Sequence, residues 1–488
     1  HSTYHDQGSY LFCRSKITKL YAQKQEMRRK KYDRRKVFPY FSLLLHVNHS
    51  IKHTQVKLHI SSSYVKVCLC ALPLLPIVTA CHDNATNDGP DKAPVRRTVL
   101  IYMAAQNSLH KNAQSDSAEI MNGRQYIADN DRLLMFIDDE RAPRLYRVTR
   151  RCKDPVLLRR WDKDICSTDP EQLREVLSMV RHDYEAQEYG LVMWSHATGW
   201  VPSTNSNYNV YNVCSAKRPS AFGIDDGPGV VNDHGAQMDI DDMAQAMQQA
   251  GWHSKYILFD ACLMQNVEVA YALRQVTDYV VASPMSIPSA GAYYTHQLQN
   301  GLFANDPGTI ARTYYEDVSN PQMANTMFAG MGIAISCVRT DQLQPLADAL
   351  KTVWARYDAR NRQSNNWPDM TGVLSYQAYS AIYYYRPHNY DAQQVLQRIL
   401  PKKDFQTIQP LLAKAVVCHY ATNRIYVGPG YNTFQSMPRD ASDYCCMSMF
   451  VPQQVYEANA SSCSCGNLNA AFGQTAWYKA CGMSNLGW

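Results

Sequence analysis

The segments Gly190-Leu-Val-Met-Trp-Ser-His196 and Tyr256-Ile-Leu-Phe-Asp-Ala-Cys262 share one pattern, an apolar run that ends close to a reactive side chain. Continuous apolar runs of this length are typical of strands that are covered on both faces of a parallel sheet. Functional groups in an open parallel sheet gather outside the carboxyl ends of its strands. The two segments therefore predict that His196 and Cys262 lie at the same edge of one sheet.

Further strands and helices alternate on both sides of these two segments. Apolar runs predict three more strands, at Thr98–Ala104, Leu133–Ile137 and Tyr279–Ala282. Helices are predicted from Asp169 to about Tyr184, where a proline and acidic residues open the segment, from Ile240, where apolar residues recur at helical spacing, and from Val267. This alternation predicts an α/β fold with a mostly parallel sheet and helices on both faces.

Beyond Gly330 the pattern is looser and indicates an α+β region that completes or flanks the first domain. Strands are predicted at Met331–Ile335 and Cys446–Val451, and helices at Asp341–Arg360 and Asp404–Val417. We therefore predict an α/β domain over residues 98–330 and a C-terminal region over residues 331–488.

The charge of the chain is unevenly distributed. The 488 residues carry a formal net charge of +6, but residues 1–80 hold 14 Lys or Arg against 3 Asp or Glu, and the remainder holds 35 against 40. The body is thus mildly acidic, which gives no support to a nucleic-acid partner. We expect the protein to be a monomer.

The first 80 residues read as a leader with a signal peptide. Residues 67–80, VCLCALPLLPIVTA, are too short to span a bilayer but suit the apolar core of an export signal. The order Val78-Thr-Ala-Cys81 resembles a bacterial lipobox, in which the cysteine is lipidated; the alternative is a chance cysteine after a secretory signal. We predict lipidation at Cys81 and a polar tether over residues 81–97. We also predict that the protein is exported and is anchored by its lipid to the bacterial cell envelope, in the outer membrane.

Cys262 and His196 are the candidates for chemistry. A thiolate is a nucleophile for acyl transfer, and an imidazole can take its proton and later protonate the leaving amine. The backbone N–H groups of Cys262 and Ala197 are candidates for stabilising the oxyanion. Taken alone, each side chain has an ordinary structural explanation, since a lone cysteine at a strand end is commonly a buried small hydrophobe.

The local sequence resembles the clostripain-like cysteine peptidases. Leu258-Phe-Asp-Ala-Cys-Leu-Met-Gln-Asn-Val-Glu-Val-Ala-Tyr-Ala-Leu273 is similar to their nucleophile block, and Met193-Trp-Ser-His-Ala-Thr-Gly-Trp200 to their histidine block. Thr98-Val-Leu-Ile-Tyr-Met-Ala-Ala-Gln-Asn-Ser-Leu109 is similar to their opening strand and turn. Phe222-Gly-Ile-Asp225 and Thr475-Ala-Trp-Tyr478 fit the Bacteroidota lipoprotein branch. The resemblance implies a caspase-like fold and endopeptidase activity on protein or peptide substrates, with a dyad of His196 and Cys262.

The resemblance also implies a preference for Arg or Lys before the cleaved bond, and self-cleavage between the two blocks, where Lys217 and Arg218 stand. Asp260 and Ser283 match positions that help to bind substrate. The segment from Ser283 to Tyr294 holds no acid, so we expect a relaxed preference. Ala197 replaces the usual glycine after the histidine; its N–H can still serve if its backbone angles suit a residue with a Cβ.

Other activities have less support. A catalytically silent surface lipoprotein that uses this fold to bind protein or glycan is the main alternative. A serine hydrolase lacks its G-x-S-x-G motif here, and a metalloenzyme lacks H-E-x-x-H and any CxxC pair. We expect no cofactor; the resemblance leaves calcium open, but no motif supports it.

Overall fold

The computed structural model describes residues 94–201, 222–357, 367–381, 384–427, 434–456 and 468–486. These residues belong to one unit of the chain, Thr79–Trp488. The predicted leader, the tether up to residue 93, Cys81, Lys217 and Arg218 lie outside the described residues.

The strands and helices of the described residues have the following bounds. The strands are β1 (Arg97–Ala104), β2 (Asp131–Asp138), β3 (Arg144–Val148), β4 (Val156–Arg160), β5 (Glu188–Trp194), β6 (Phe222–Asp225), β7 (Ala236–Met238), β8 (Tyr256–Asp260), β9 (Tyr279–Ala282), β10 (Ala334–Arg339), β11 (Ser375–Ala381), β12 (Tyr384–Asp391), β13 (Val416–Ala421), β14 (Arg424–Tyr426), β15 (Phe434–Ser436) and β16 (Ser448–Met449). The helices are α1 (His110–Gly123), α2 (Pro170–Asp183), α3 (Ile240–Gln249), α4 (Val267–Ala272), α5 (Tyr294–His296), α6 (Gly308–Ser319), α7 (Pro321–Ala324), α8 (Leu343–Trp354), α9 (Ala392–Ile399), α10 (Lys402–Ala415), α11 (Leu468–Phe472) and α12 (Ala476–Cys481).

The main sheet has the strand order β13-β10-β9-β8-β5-β1-β2-β3-β4. Its five central strands, from β9 to β2, run parallel to one another. The two strands at each edge are antiparallel to their neighbours. The predicted mostly parallel α/β sheet is therefore confirmed, with antiparallel edges added.

The central strands are apolar over most of their length because helices cover both faces of the sheet. All eight residues of β1 are buried. Its alternating side chains enter two separate cores, with Leu100 and Tyr102 in one and Ile101 and Met103 in the other. This two-sided burial explains why these strands lack the alternation of polar and apolar residues found in half-exposed sheets.

Helix α2 begins as predicted. Asp169 is its N-cap residue and accepts a hydrogen bond of 2.9 Å from the Glu171 N–H, while Pro170 takes the first helical position. The carboxylate satisfies a backbone donor that would otherwise have no partner in the first turn.

Three predictions in the C-terminal region are wrong in their bounds. The strand predicted from Met331 begins only at Ala334, because Gly330 and Gly332 adopt positive φ angles. The strand predicted from Cys446 shrinks to β16, since Cys446 itself has a φ of 50°. The helix predicted up to residue 360 ends as α8 at Trp354 and continues as a short 3₁₀ turn. Within the described residues, no helix combines the length and the apolar character needed to cross a membrane.

Candidate active site

Strands β5 and β8 bring His196 and Cys262 to one edge of the sheet. The strands are parallel neighbours, and Trp194 lies in register with Asp260. His196 and Cys262 each follow two residues after this pair. The equal offset on adjacent parallel strands sets both side chains at the same carboxyl edge, as the two apolar runs predict.

His196 is partly buried, and the Nε2 atom of its ring has two polar neighbours. Its Nε2 atom lies 3.0 Å from Ser108 Oγ and 3.6 Å from Asp233 Oδ1. Burial lowers the pKa of the imidazole, and the nearby carboxylates of Asp233 and Asp226 oppose this shift. Its backbone oxygen accepts a 2.8 Å hydrogen bond from the Gly223 N–H, which fixes the turn after β5 against β6.

Cys262 lies in a turn whose backbone is bound to the segment after β9. Its Sγ atom is 3.9 Å from the Ile287 carbonyl oxygen. Burial raises the pKa of the Cys262 thiol, while hydrogen bonding with the Ile287 backbone and the Ser286 side chain lowers it in part. A thiol of raised pKa needs a base to ionise at neutral pH, and His196 lies at the same edge of the sheet.

The backbone of the cysteine turn is strained and tightly fixed. Leu263, directly after the cysteine, has a φ of 63°, which is rare for a residue with a bulky side chain. Its N–H donates to the Met285 carbonyl at 3.0 Å, and the Gln265 N–H donates to the Ser283 carbonyl at 3.1 Å. These bonds hold the strained turn, so that the thiol has a defined position relative to the sheet edge.

The histidine turn and the cysteine turn contact each other through Gly199 and Asn266. Gly199 has a φ of 73°, and a Cβ at this position would lie 2.6 Å from the Leu263 carbonyl oxygen. The Asn266 Oδ1 atom accepts a hydrogen bond of 3.2 Å from the Trp200 N–H, and its Nδ2 donates to Ser448 Oγ at 2.6 Å. Only a glycine allows the two turns to approach this closely.

The sequence predicts direct substrate contacts for Asp260 and Ser283, but both side chains are engaged within the protein. Asp260 is 3% exposed, and its carboxylate accepts hydrogen bonds from the Ala292 N–H at 3.0 Å and the Tyr294 hydroxyl at 2.9 Å. Ser283 is 2% exposed, and its hydroxyl closes a turn with the Met285 backbone. Both positions favour a supporting role, in which the residues shape the segment from Ser283 to Tyr294.

Two further carboxylates, both on α1, lie close enough to Asp260 to interact with it electrostatically. Asp116 accepts a 2.8 Å hydrogen bond from Trp194 Nε1, and Glu119 accepts one of 3.1 Å from the Tyr294 N–H. Burial raises the pKa of Asp116 to about 9 and that of Glu119 to about 7, and Asp260 adds to both shifts. Burial likewise raises the pKa of Asp260 to about 6. The three acids thus form a desolvated group beneath the segment.

Ala197 does not adopt a positive φ, so its Cβ brings no left-handed strain to the histidine turn. It is half-buried and forms an isolated antiparallel bridge with Phe222. The replacement of the usual glycine is therefore compatible with the backbone here, and the proposed role of its N–H stays a prediction. Over the described ranges, no group of three His, Cys, Asp or Glu side chains is arranged to hold a metal ion.

Sequence reasoning missed Ser108, Asp233, Asp116 and Glu119. Ser108 stands in the quoted opening block but is 88 residues from His196, and Asp233 is 37 residues beyond it. Nothing in the local pattern around either residue indicates an approach to the imidazole. The two α1 acids are spaced by three residues on one helix face, which is a pattern that solvent-exposed acids share.

The chain is similar to known cysteine proteases in sequence and in fold. A sequence profile of the Clostripain family matches residues 101–453. Clostripain from Hathewaya histolytica is 25% identical over 200 residues, a match that covers 36% of this chain and only 36% of that relative. The solved structure of an inactive zymogen C11 protease from Parabacteroides distasonis is 24% identical, with a TM-score of 0.63 over 80% of this chain and 99% of that one.

A second solved structure has the same TM-score of 0.63 and the same coverage, at 27% identity. It is a secreted C11 cysteine protease from Bacteroides thetaiotaomicron in complex with an irreversible peptide inhibitor. The profile match includes both β5 and β8 and reaches into the C-terminal region. This chain therefore belongs to the clostripain family of cysteine peptidases.

Proposed function

We propose that this chain is a cysteine endopeptidase in which Cys262 is the nucleophile and His196 is its proton-transfer partner. The observation that carries the proposal is the register of Trp194 with Asp260, which sets both side chains two residues beyond adjacent parallel strands. In the proposed reaction the imidazole takes the thiol proton while Sγ attacks the peptide carbonyl carbon. The backbone N–H groups of Cys262 and Ala197 then stabilise the oxyanion.

The intermediate collapses to a thioester when His196 gives its proton to the leaving amine, and water hydrolyses the thioester in a second round. The thiol pKa is raised by burial and the imidazole pKa is lowered by burial. Both shifts favour the neutral pair in the resting protein. The proton therefore moves only when a substrate is in place, and a resting ion pair is not required.

The test is peptide turnover by Cys262→Ala and His196→Ala proteins, with Cys418→Ala as the matched control. Residues that act as a unit lose nearly the same activity whichever one is removed, so each of the first two variants should fall below the limit of detection. Cys418, another half-buried free thiol, should be dispensable. A thiol-reactive peptide probe should label Cys262 in the wild type. Turnover by Cys262→Ala within about tenfold of the wild type would contradict the assignment of Cys262 as the nucleophile.

The proposed specificity is a relaxed preference for Arg or Lys before the cleaved bond. The segment from Ser283 to Tyr294 holds no acid, and the carboxylate of Asp260 already accepts two hydrogen bonds. A substrate cation would find little negative charge that is free to pair with it. Neutral residues should compete within about a hundredfold, or roughly 3 kcal/mol, in kcat/KM across a fluorogenic series that varies only this residue. A strict requirement for Arg or Lys, beyond about ten-thousandfold, would contradict the proposal.

Weak recognition of cations has a consequence for self-processing. Cleavage after Lys217 or Arg218 should be slow or incomplete, and intact-mass analysis of purified protein over time measures it. Rapid and complete cleavage at either residue in the wild type, absent in Cys262→Ala, would favour a well-formed pocket for cations.

We further propose export and lipidation at Cys81, with anchoring in the outer membrane and peptidase action as a monomer. The Val78-Thr-Ala-Cys81 order supports lipidation, and the Bacteroides thetaiotaomicron relative is a secreted protein. Partitioning into detergent should follow the wild type and be lost in Cys81→Ala. A wild type that stays in the aqueous phase, cleaved elsewhere, would count against it. The alternative of a silent binding protein is not favoured, because Cys262 and His196 are both present.

A further inference from the structure

The Nε2 atom of His196 faces a serine hydroxyl and a carboxylate that the Cys/His pair does not include. Ser108 Oγ lies 3.0 Å from Nε2, and Asp233 Oδ1 lies 3.6 Å from it. The same Asp233 oxygen accepts a 2.9 Å hydrogen bond from the Ser108 N–H. The carboxylate, the serine and the imidazole therefore form one contiguous group on the side of the ring away from Nδ1.

The loop that carries Asp233 is built around a second, buried carboxylate. Asp226 is 2% exposed and accepts four backbone hydrogen bonds of 2.7–2.9 Å. The donors are the N–H groups of Asn232, Asp233, His234 and Gly235. The Asp226 N–H in turn donates to the Gln106 carbonyl at 2.8 Å, which joins the loop to the chain that leads to Ser108.

The backbone of Asp233 is also unusual. Its φ of 58° lies in the left-handed region, where a residue other than glycine costs energy unless its surroundings hold it there. Strain of this kind concentrates at functional sites. The four hydrogen bonds to Asp226 hold the loop in the one conformation that directs the Asp233 side chain at Ser108 and His196.

We propose that Ser108 and Asp233 are positioning residues for His196, which direct its Nδ1 atom at the Cys262 thiol and stabilise the imidazolium formed during the reaction. The proposal rests on the proposed Cys262 and His196 chemistry. A protonated Nε2 donates to Ser108 Oγ, so Nδ1 is left with its lone pair. The thiol proton then moves from Sγ to Nδ1, and the positive charge that results lies 3.6 Å from the Asp233 carboxylate.

The geometry limits the size of the effect. Asp233 and His196 are 36% and 30% exposed at their side chains, so water screens the charge of the carboxylate. Among the described residues, the charged groups that shift the pKa of His196 are Asp233 and the buried Asp226 behind it, and both favour the imidazolium. Loss of Asp233 therefore removes part of this support and leaves Asp226 in place.

The decisive variant is Asp233→Asn, because asparagine tolerates positive φ and keeps an oxygen for the Ser108 N–H. It removes only the charge. We expect kcat to fall by about tenfold to a hundredfold with KM within about threefold. The limb of the pH profile that reports His196 should move to lower pH by about one unit, as expected for a screened charge 3.6 Å away.

Ser108→Ala should lower kcat by a similar factor, and Ser108→Thr, which restores a hydroxyl, should recover most of it. Asp154→Asn, which removes an exposed carboxylate elsewhere on the molecule, should leave kcat and the pH profile unchanged. If Asp233→Asn and Ser108→Ala both keep kcat and the pH profile within about twofold of the wild type, the proposal is overturned. Cys262→Ala and His196→Ala in the same series separate the outcomes: if they retain turnover, the proposed function itself has failed.

Discussion

Asp116 is the buried group whose replacement should most clearly change the stability of the protein with pH. Its side chain is 2% exposed and accepts a hydrogen bond from Trp194 Nε1. Burial raises its pKa from 3.8 to about 9, with further contributions from Asp260 and Glu119. The carboxyl group is therefore neutral in the folded protein at pH 7, whereas the unfolded chain ionises it.

The sign of the effect follows from this difference. Because the folded pKa is the higher one, unfolding releases a proton between pH 3.8 and 9, and the free energy of unfolding falls as the pH rises through that interval. The contribution of Asp116 is fully present below pH 3.8. From there to pH 7 is about three pH units at about 1.4 kcal/mol each, so up to about 4 kcal/mol is lost at pH 7.

Asp116→Asn should remove this loss. Asparagine keeps an oxygen for the Trp194 N–H and does not ionise. We expect the variant to exceed the wild type in free energy of unfolding by about 2–4 kcal/mol at pH 7 and by almost nothing at pH 4. The measurement is urea unfolding at pH 4, 5.5 and 7 in a Cys262→Ala background, which prevents digestion of the unfolded chain.

The matched control is Asp154→Asn, at an exposed aspartate, which should stay within about 0.5 kcal/mol at every pH. A gain in Asp116→Asn that is equal at pH 4 and pH 7 would mean that packing and not ionisation is responsible. A loss of stability at pH 7 would refute the conclusion that the Asp116 carboxyl is held neutral.

Two further predictions concern the segment and turns around Cys262. Tyr294→Phe removes the hydroxyl that donates to Asp260 at 2.9 Å and should lower the free energy of unfolding by about 1.5–3 kcal/mol, measured by urea titration; an unchanged midpoint would show that the carboxylate finds another donor. Gly199→Ala should cost about 1–3 kcal/mol more than Gly229→Ala, since both glycines have positive φ but only the first would crowd the Leu263 carbonyl. Equal costs for the two glycine variants would contradict the close approach of the turns.

The central strands and the edge that carries His196 and Cys262 could be predicted because each depends on a local pattern. An apolar run such as Tyr256–Phe259 identifies its strand without any partner, and parallel pairing then places the next residues at a shared edge. The sequences of the edge strands β3 and β4 contain no such apolar run. The five residues of β4 are half-buried or exposed, so its sequence, Val156-Leu-Leu-Arg-Arg160, resembles any surface segment.

The surroundings of the imidazole could not be predicted, because they depend on contacts between distant parts of the chain. The position of Asp233 requires the Asp226 carboxylate to collect four N–H groups and requires Ser108 to arrive from the turn after β1. The composition of this loop indicates only a turn, since Asn, Asp and Gly favour turns of many kinds.

From the sequence alone, Asp260 is compatible either with binding a substrate cation or with accepting hydrogen bonds within the protein. Its contacts in the structure distinguish these two roles. Two residues before the proposed nucleophile, a carboxylate suggests a contact with a substrate cation. Here it accepts hydrogen bonds from Ala292 and Tyr294 and lies in a group of buried acids with raised pKa values. An arginine or lysine of a substrate would have to displace these hydrogen bonds before it could pair with the carboxylate. The Asp260 carboxylate therefore shapes the segment that is proposed to meet the substrate, and this is the physical reason to expect that neutral residues compete with Arg and Lys.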